Sequence, residues 1–150
     1  MTVLNYSPAS DLPLQAHSFQ SGTLFHGDNL LLLQKLQERE FRLNYFSDQP
    51  LKLIYIDPPF DSGVKYKVRD VKLSGKGRQT NTVAFDDSWG GTVNFIAMLR
   101  ERIILMRDLL AEDGSFYLHC DWHTNAHVRL LLDEIFGPKN FQNEIIWSYR

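Results

Sequence analysis

An acidic residue followed by two prolines and an aromatic ring, Asp57-Pro58-Pro59-Phe60, is the arrangement in this sequence best suited to chemistry. An aromatic amine is a poor nucleophile because its lone pair is delocalised into the ring. A carboxylate and a rigid prolyl carbonyl that each accept a hydrogen bond from the amino group can free that lone pair. If the amino group belongs to a nucleobase, Phe60 can stack on that base, which has to leave its duplex to reach such a pocket. The tetrapeptide therefore predicts an active site for an exocyclic amino group, although a rigid turn after a strand is the simpler alternative.

Strands and helices alternate along the sequence. This alternation predicts an α/β fold with a mostly parallel sheet and helices on both faces. Ligands of such sheets bind beyond the carboxyl ends of the strands. Because Asp28, Asp57 and Asp121 each follow a predicted strand, we expect three acidic side chains on one rim. The predicted strands cover residues 23–26, 51–56, 115–120 and 141–147, and the predicted helices cover residues 29–38, 95–111 and 123–136.

Residues 1–21 contain prolines and no apolar period, which predicts a flexible arm ahead of a catalytic domain over residues 22–150. Residues 61–88 also lack a clear period and predict a long mobile loop. Basic residues outnumber acidic ones in this loop, so it can hold nucleic-acid phosphates or can simply be solvated. The candidate phosphate contacts are Lys65, Lys67, Arg69, Lys72, Lys76 and Arg78.

Three histidines lie close together after residue 118. Strand alternation points His119 and Asp121 towards the rim and points Cys120 into the core. His123 and His127 lie four residues apart on a predicted helix and can share a metal ion. The chemistry at an amino group needs no metal, so we predict no metal site.

The composition is that of an ordinary globular domain, with 43% apolar and 23% charged residues among 150. A net charge of −2 means that any nucleic-acid signal is local. The single cysteine, Cys120, excludes an internal disulfide and favours a reducing, cytoplasmic location. No apolar run is long enough to span a bilayer, so we expect no membrane association.

Further motifs accompany the tetrapeptide in a fixed order. Together they resemble permuted (β-type) enzymes of the N-4/N-6 DNA methylase family, including the methylation subunits of type III restriction–modification systems. The resemblance covers roughly residues 22–150, and the ordered set is far more specific than the tetrapeptide alone. The motifs are Gly27-Asp28-Asn29-Leu30, Asp87-Ser88-Trp89, Gly114-Ser115-Phe116-Tyr117-Leu118-His119-Cys120-Asp121, Asp133-Glu134-Ile135-Phe136-Gly137 and the segment Asn140–Trp147.

The resemblance implies a Rossmann-like methyltransferase that transfers a methyl group from S-adenosylmethionine to N6 of a flipped adenine in double-stranded DNA. It implies catalysis by the tetrapeptide Asp57, Pro58, Pro59 and Phe60. We expect cofactor contacts from the residues at the strand ends, and a restriction subunit or a second methyltransferase subunit as partner. The expected cofactor contacts are Asp28, Asp57, His119 and Asp121, although Asp28 can also be a helix N-cap.

Enzymes of this branch carry a glycine-rich loop for the cofactor's methionine moiety after the tetrapeptide. The Gly-x-Gly of this sequence, Gly75-Lys76-Gly77, lies in the basic loop without a strand before it. The sequence therefore predicts a catalytic domain that is incomplete at its C-terminus. Two alternatives stay open: a non-catalytic remnant or subunit that needs a complementing chain, and a methyltransferase for cytosine N4 or for RNA. Trp89 either supports the pocket or anchors the basic loop.

Overall fold

The computed structural model describes residues 14–19, 22–61, 65–69, 81–86 and 89–148, with the backbone alone at 65–69 and 81–86. Six strands and four helices lie in these ranges, followed by a 3-10 turn at Pro138–Asn140. The strands are β1 (Gln15–Phe19), β2 (Gly22–His26), β3 (Leu51–Ile56), β4 (Lys65–Arg69), β5 (Asn81–Asp86) and β6 (Leu110–Leu118). The helices are α1 (Asn29–Gln37), α2 (Arg39–Leu43), α3 (Thr92–Leu109) and α4 (Asn125–Phe136).

Strands β3 and β6 pair in parallel and set the geometry of the site. Leu53 lies opposite Ser115 and Ile56 lies opposite Leu118. The pairing continues one residue further, because the His119 N–H donates to the Ile56 carbonyl at 3.0 Å. Since the two strands run the same way, the residues that follow them meet at one edge of the pair.

Helix α3 supplies most of the core through a buried stripe at three- and four-residue spacing. Helix α4 packs beside one part of this stripe and α1 beside the other, each through two buried side chains. Burial of each large apolar side chain contributes about 1.5–3 kcal/mol. The stripe consists of Phe95, Leu99, Ile103, Met106 and Leu109, and the partners are Val128 and Leu131 on α4 and Leu33 and Leu36 on α1.

The two faces of the β3–β6 pair differ in what covers them. Ile54, Ile56 and Phe116 pack against the helices, whereas Tyr55 and Tyr117, which lie opposite each other, are 62% and 48% exposed. In the described ranges α1, α3 and α4 thus share one face, and the prediction of helices on both faces is wrong there. The described strands form one parallel and two antiparallel pairs, so the described part of the chain is mixed α/β with a small parallel sheet.

Two segments that the sequence predicts to be irregular contain strands. Gln15–Phe19, within the predicted arm 1–21, pairs antiparallel with β2 although all of its side chains are exposed. No apolar period marks such a strand, because backbone pairing holds it and burial does not. Lys65–Arg69 and Asn81–Asp86 form an antiparallel hairpin inside the predicted loop 61–88. Polar and apolar residues alternate along Lys65–Arg69, a period of two that the prediction overlooked.

The strand predicted at 141–147 is not formed, since residues 141–148 have no regular structure. Ile145, Ile146 and Trp147 are 77%, 81% and 83% exposed. A strand needs a neighbour for its backbone hydrogen bonds, and no described strand pairs with this segment. By contrast, β3 and the helices α1, α3 and α4 lie where the sequence predicts them, with ends within three residues. None of the helices in the described ranges has the length and apolarity of a membrane span.

Candidate active site

Asp57 and His119 are the first residues beyond β3 and β6. The in-register parallel pairing places them opposite each other, and His119 Nδ1 lies 3.1 Å from Asp57 Oδ1. Both side chains are about half exposed, at 57% for Asp57 and 55% for His119. The contact engages Oδ1, and the second carboxylate oxygen can accept hydrogen bonds from a ligand.

Pro58, Pro59 and Phe60 continue the loop and are each partly buried. The two proline rings fix two successive φ angles, which leaves the carbonyls of this segment little freedom. The Phe60 ring meets the His119 ring edge-on, with centroids 5.3 Å apart and an interplanar angle of 77°. His119 therefore contacts both the carboxylate and the aromatic ring of the tetrapeptide.

Asp61 follows the tetrapeptide and has a backbone conformation that few residues adopt. Its φ is +56°, in the left-handed region that aspartate tolerates better than most non-glycine residues. Its Oδ1 accepts a hydrogen bond from the Trp89 backbone N–H at 2.7 Å. Trp89 is partly buried and packs against the α3–α4 core, which favours its role as an anchor. The sequence analysis placed Asp61 only within the predicted loop 61–88 and missed this role.

Asp121 lies beyond β6 and organises the turn that leads into α4. His123 Nδ1 lies 2.6 Å from its Oδ1. The same oxygen accepts the His123 backbone N–H at 3.3 Å and the Thr124 hydroxyl at 3.4 Å. Thr124 is fully buried, so this hydrogen bond satisfies a hydroxyl that has no access to water. Asp121 thus shares the rim with Asp57 and His119, as the sequence predicts.

Asp28 is the N-cap of α1, since its Oδ1 accepts the Leu30 N–H at 2.8 Å. Arg102 on α3 donates to the same oxygen at 3.1 Å and to the Asn29 side chain at 2.7 Å. Asp28 follows β2, which pairs with β1 in a separate hairpin. Asp57 and Asp121 therefore share the edge beyond the β3–β6 pair, whereas Asp28 follows a strand outside that pair and its place on the rim stays a prediction. The sequence analysis missed Arg102. The available indication in the sequence is a basic residue next to the apolar stripe of α3.

Cys120 points into the core, as strand alternation predicts, and packs against the α3–α4 cluster. Burial raises the pKa of its thiol, and the charges of Asp121 and Glu144 raise it further. The His127 side chain is exposed. Within the part of the chain that the structure describes, no three His, Cys, Asp or Glu side chains converge as metal ligands.

The six candidate phosphate contacts fall on the hairpin and beyond it. Lys65, Lys67 and Arg69 lie on β4, whose backbone alone is described. Lys72, Lys76 and Arg78 lie outside the described residues, as do the Gly75-Lys76-Gly77 segment and the first two residues of Asp87-Ser88-Trp89.

Residues 51–150, which contain the tetrapeptide and every element from β3 onwards, match the model of the DNA methylase family. The chain belongs to the DNA methylase family. This confirms the resemblance indicated by the ordered motifs. No solved structure matches the chain significantly.

The relatives of this chain include type II methyltransferases and subunits of type III restriction-modification enzymes. The type II methyltransferase M.EcaI of Enterobacter cloacae is 30% identical over 136 residues, which are 91% of this chain and 26% of that protein. The EcoP15I Mod subunit of Escherichia coli, from a type III restriction-modification enzyme, is 26% identical over 83% of the chain and 20% of its own length. The type II methyltransferase M.KpnI of Klebsiella pneumoniae is 28% identical over 84% of the chain and 26% of its own length. The chain thus spans about a quarter or less of these relatives.

Proposed function

We propose that this protein methylates the N6 amino group of adenine in DNA, with S-adenosylmethionine as methyl donor. The observation that carries the proposal is the half-exposed Asp57 carboxylate, held by His119 at the edge where β3 and β6 end and followed by two prolines. Membership of the DNA methylase family supports the reaction class. The methylation subunits of type III enzymes among the relatives favour a restriction–modification setting.

Asp57 has the acceptor capacity that the reaction needs. His119 holds Oδ1 at 3.1 Å, and Oδ2 accepts one hydrogen of the amino group in our proposal. A carbonyl of the Pro58-Pro59 segment accepts the other hydrogen, and its direction is fixed by the proline rings. With both hydrogens held, the nitrogen lone pair leaves conjugation with the base and would form a bond to the methyl carbon as that carbon's bond to the cofactor sulfur breaks, with the electron pair staying on sulfur. The nitrogen then loses one proton, for which we propose the Asp57 carboxylate as acceptor.

Phe60 provides an aromatic surface for the base at the same edge. Its ring is partly buried and is held edge-on by His119, so little side-chain freedom has to be lost on stacking. A base that leaves the duplex loses a few kcal/mol of pairing and stacking, and contact with an aromatic ring offsets part of this cost. DNA phosphates beside the flipped base are the proposed ligands of Lys65, Lys67, Arg69, Lys72, Lys76 and Arg78.

The acidic residues at the strand ends suit a ligand rich in hydroxyl and amino groups. The side-chain contacts of Asp28 and of Asp121 use Oδ1, and these side chains are 31% and 26% exposed. Each therefore keeps an acceptor oxygen for the ribose or adenine of S-adenosylmethionine. His119, which lies between Asp57 and Asp121 in chain order, is the other proposed cofactor contact. When bound, this cofactor supplies an electrophilic methyl group. A restriction subunit or a second methyltransferase subunit is the proposed protein partner, and the cytoplasm is the proposed location.

The test measures transfer of a labelled methyl group from S-adenosylmethionine to DNA by wild type and by Asp57→Ala. We expect the substitution to lower the rate on the order of a hundredfold to a thousandfold, a far larger effect than the one on cofactor binding measured by calorimetry. Asp113→Ala is the matched control, because Asp113 is an exposed aspartate that pairs with Lys52 near the opposite ends of the strands. A near wild-type rate for Asp57→Ala would refute the mechanism.

Analysis of the product separates the remaining alternatives. Digestion of the methylated nucleic acid to nucleosides should give N6-methyladenosine from DNA and not N4-methylcytosine, and RNA should be a poor substrate. A folded wild-type sample that neither binds S-adenosylmethionine nor transfers methyl groups would favour the non-catalytic alternative.

A further inference from the structure

Helix α1 and helix α3 run in the same direction. Helix α3 leads directly into β6, so its C-terminal end lies where the parallel strands begin and its N-terminal end faces the edge where they end. Ahead of α1, Asp28 contacts Arg102, and at the other end of α1 the Gln37 side chain donates to the Leu105 carbonyl at 3.1 Å. Both helices thus advance away from the edge that holds the candidate active site. The N-terminal end of α1, with Asp28 as its cap, therefore faces that edge.

Arg102 holds the start of α1 through three hydrogen bonds from three different nitrogens. Its Nη2 donates to Asp28 Oδ1 at 3.1 Å, and its Nε donates to Asn29 Oδ1 at 2.7 Å. Its Nη1 donates to the Met98 carbonyl on its own helix at 3.1 Å. The Arg102 side chain is only 13% exposed, and arginine is seldom buried to this degree unless it is paired. A planar guanidinium held at three nitrogens keeps one orientation, which fixes the two side chains that it reaches at the start of α1.

The Asp28 carboxylate has more support than a helix N-cap needs. A cap requires one oxygen that accepts an N–H of the first turn, and Asp28 Oδ1 accepts the Leu30 N–H at 2.8 Å. Arg102 adds a second donor to the same oxygen from a different helix. Rotation of the carboxylate would weaken both hydrogen bonds, so Oδ2 is held in one direction. The Asp28 side chain is 31% exposed, and the described contacts leave Oδ2 available to a ligand.

The charge of Arg102 determines which ligands suit this oxygen. Because the guanidinium balances the carboxylate, the pair has no excess charge to attract a cation, and Oδ2 suits a neutral donor such as a hydroxyl or amino group. We propose that Arg102 is a positioning residue that fixes the Asp28 carboxylate so that its Oδ2 accepts a hydrogen bond from the ribose or the adenine of S-adenosylmethionine. This inference rests on the proposed function, because it takes that cofactor as the ligand.

The test is a calorimetric titration of S-adenosylmethionine into the wild type and into variants of Arg102. Arg102→Met removes the guanidinium with little loss of apolar side chain, and we expect it to weaken cofactor binding about tenfold, the effect of one hydrogen bond to a charged group. Arg102→Lys keeps the charge but loses the planar fork, so it should weaken binding about threefold. Arg100→Met is the matched control, because Arg100 lies on the same helix and pairs with Glu134 on α4. It should change cofactor affinity by less than about twofold.

Dependence on Asp28 distinguishes positioning from a general effect on folding. Asp28→Ala should itself weaken cofactor binding, and adding Arg102→Met to Asp28→Ala should then change the affinity by less than about twofold. In the methylation assay, Arg102→Lys should raise KM for S-adenosylmethionine about threefold and leave kcat within about twofold of the wild type. A variant that only unfolds more easily would lose active protein and keep the wild-type KM.

Two results would overturn the proposal. One is a cofactor affinity equal to that of the wild type in both Arg102→Met and Arg102→Lys. The other is an effect of Arg102→Met that is as large in the Asp28→Ala background as in the wild type. Both results leave the proposed reaction standing, because the wild type still binds S-adenosylmethionine in them. A wild type that binds no S-adenosylmethionine would instead overturn the proposed function and this inference together.

Discussion

Substitutions at Asp61 should separate the two features that hold the tetrapeptide loop, the hydrogen bond to Trp89 and the left-handed backbone. Asp61→Ala removes the carboxylate and leaves a side chain that disfavours a φ of +56°. Asp61→Gly also removes the carboxylate but accepts that φ without penalty. Asp61→Asn keeps an oxygen at the acceptor position and tolerates the backbone, so it is the matched control.

The magnitudes follow from the geometry. The acceptor is charged, the distance to the Trp89 nitrogen is 2.7 Å and the contact is partly buried, so its loss costs about 1.5–3 kcal/mol. The left-handed backbone costs alanine about 1 kcal/mol more than aspartate. Asp61→Ala should therefore destabilise this loop by about 3 kcal/mol. Asp61→Gly should cost about 1.5–3 kcal/mol, from the lost hydrogen bond alone, and Asp61→Asn less than about 1 kcal/mol.

Hydrogen exchange at the Trp89 amide reads this local free energy directly, because the amide exchanges only when its bond to Asp61 opens. A loss of 1.4 kcal/mol is a tenfold change, so Asp61→Ala should speed exchange on the order of a hundredfold. The order should be alanine fastest, then glycine, then asparagine. Equal exchange rates in Asp61→Ala and wild type would refute the role of the carboxylate, and equal rates for alanine and glycine would refute the role of the backbone.

Three further outcomes are expected. Replacing Lys65, Lys67 and Arg69 together by alanine should weaken DNA binding and reduce the slope of log K against log salt by about 2–3. An unchanged slope would show that these three side chains do not contact DNA phosphates. Hydrogen bonding from Arg100 lowers the pKa of Glu134 from its ordinary 4.5. The stability that this ion pair adds is therefore present above pH 4.5 and is lost as pH falls through the lowered pKa of Glu134. The difference in urea midpoint between wild type and Glu134→Gln should then vanish in acid, and a difference that stays constant with pH would contradict this. Because burial raises the pKa of the Cys120 thiol, iodoacetamide should alkylate it slowly at pH 8 until urea unfolds the chain, and immediate reaction in the native state would show that the thiol is accessible.

Elements with a strong apolar period could be predicted from the sequence. The stripe of α3 repeats every three or four residues, and β3 is a short apolar run that ends at a diproline, so both lie where predicted. Elements held by backbone pairing could not be predicted in the same way. All side chains of β1 are exposed, and its partner β2 supplies hydrogen bonds that no single segment reveals.

The candidate site was predicted in part for the same reason. Asp57 follows one predicted strand and His119 lies one residue before the end of another, predicted at 115–120, so their shared edge was foreseeable, although β6 ends two residues earlier than predicted. The contact between Asp61 and Trp89 joins residues 28 positions apart across a hairpin, and nothing in the local sequence indicates it. The link between Asp28 and Arg102 depends on how α1 packs against α3, which is a tertiary property.

The geometry of the site depends on packing far from it. Ile54, Ile56 and Phe116 fix the register of β3 against β6 because their side chains are held in the helical core. That register carries Asp57 to His119 and Asp61 to His123. A slip of one residue in β6 would exchange the faces, turning His119 into the core and Cys120 to the rim. The core thus selects which side chain of β6 meets the carboxylate, and a substitution that loosens it, such as one at Phe116, acts on the site without contacting Asp57.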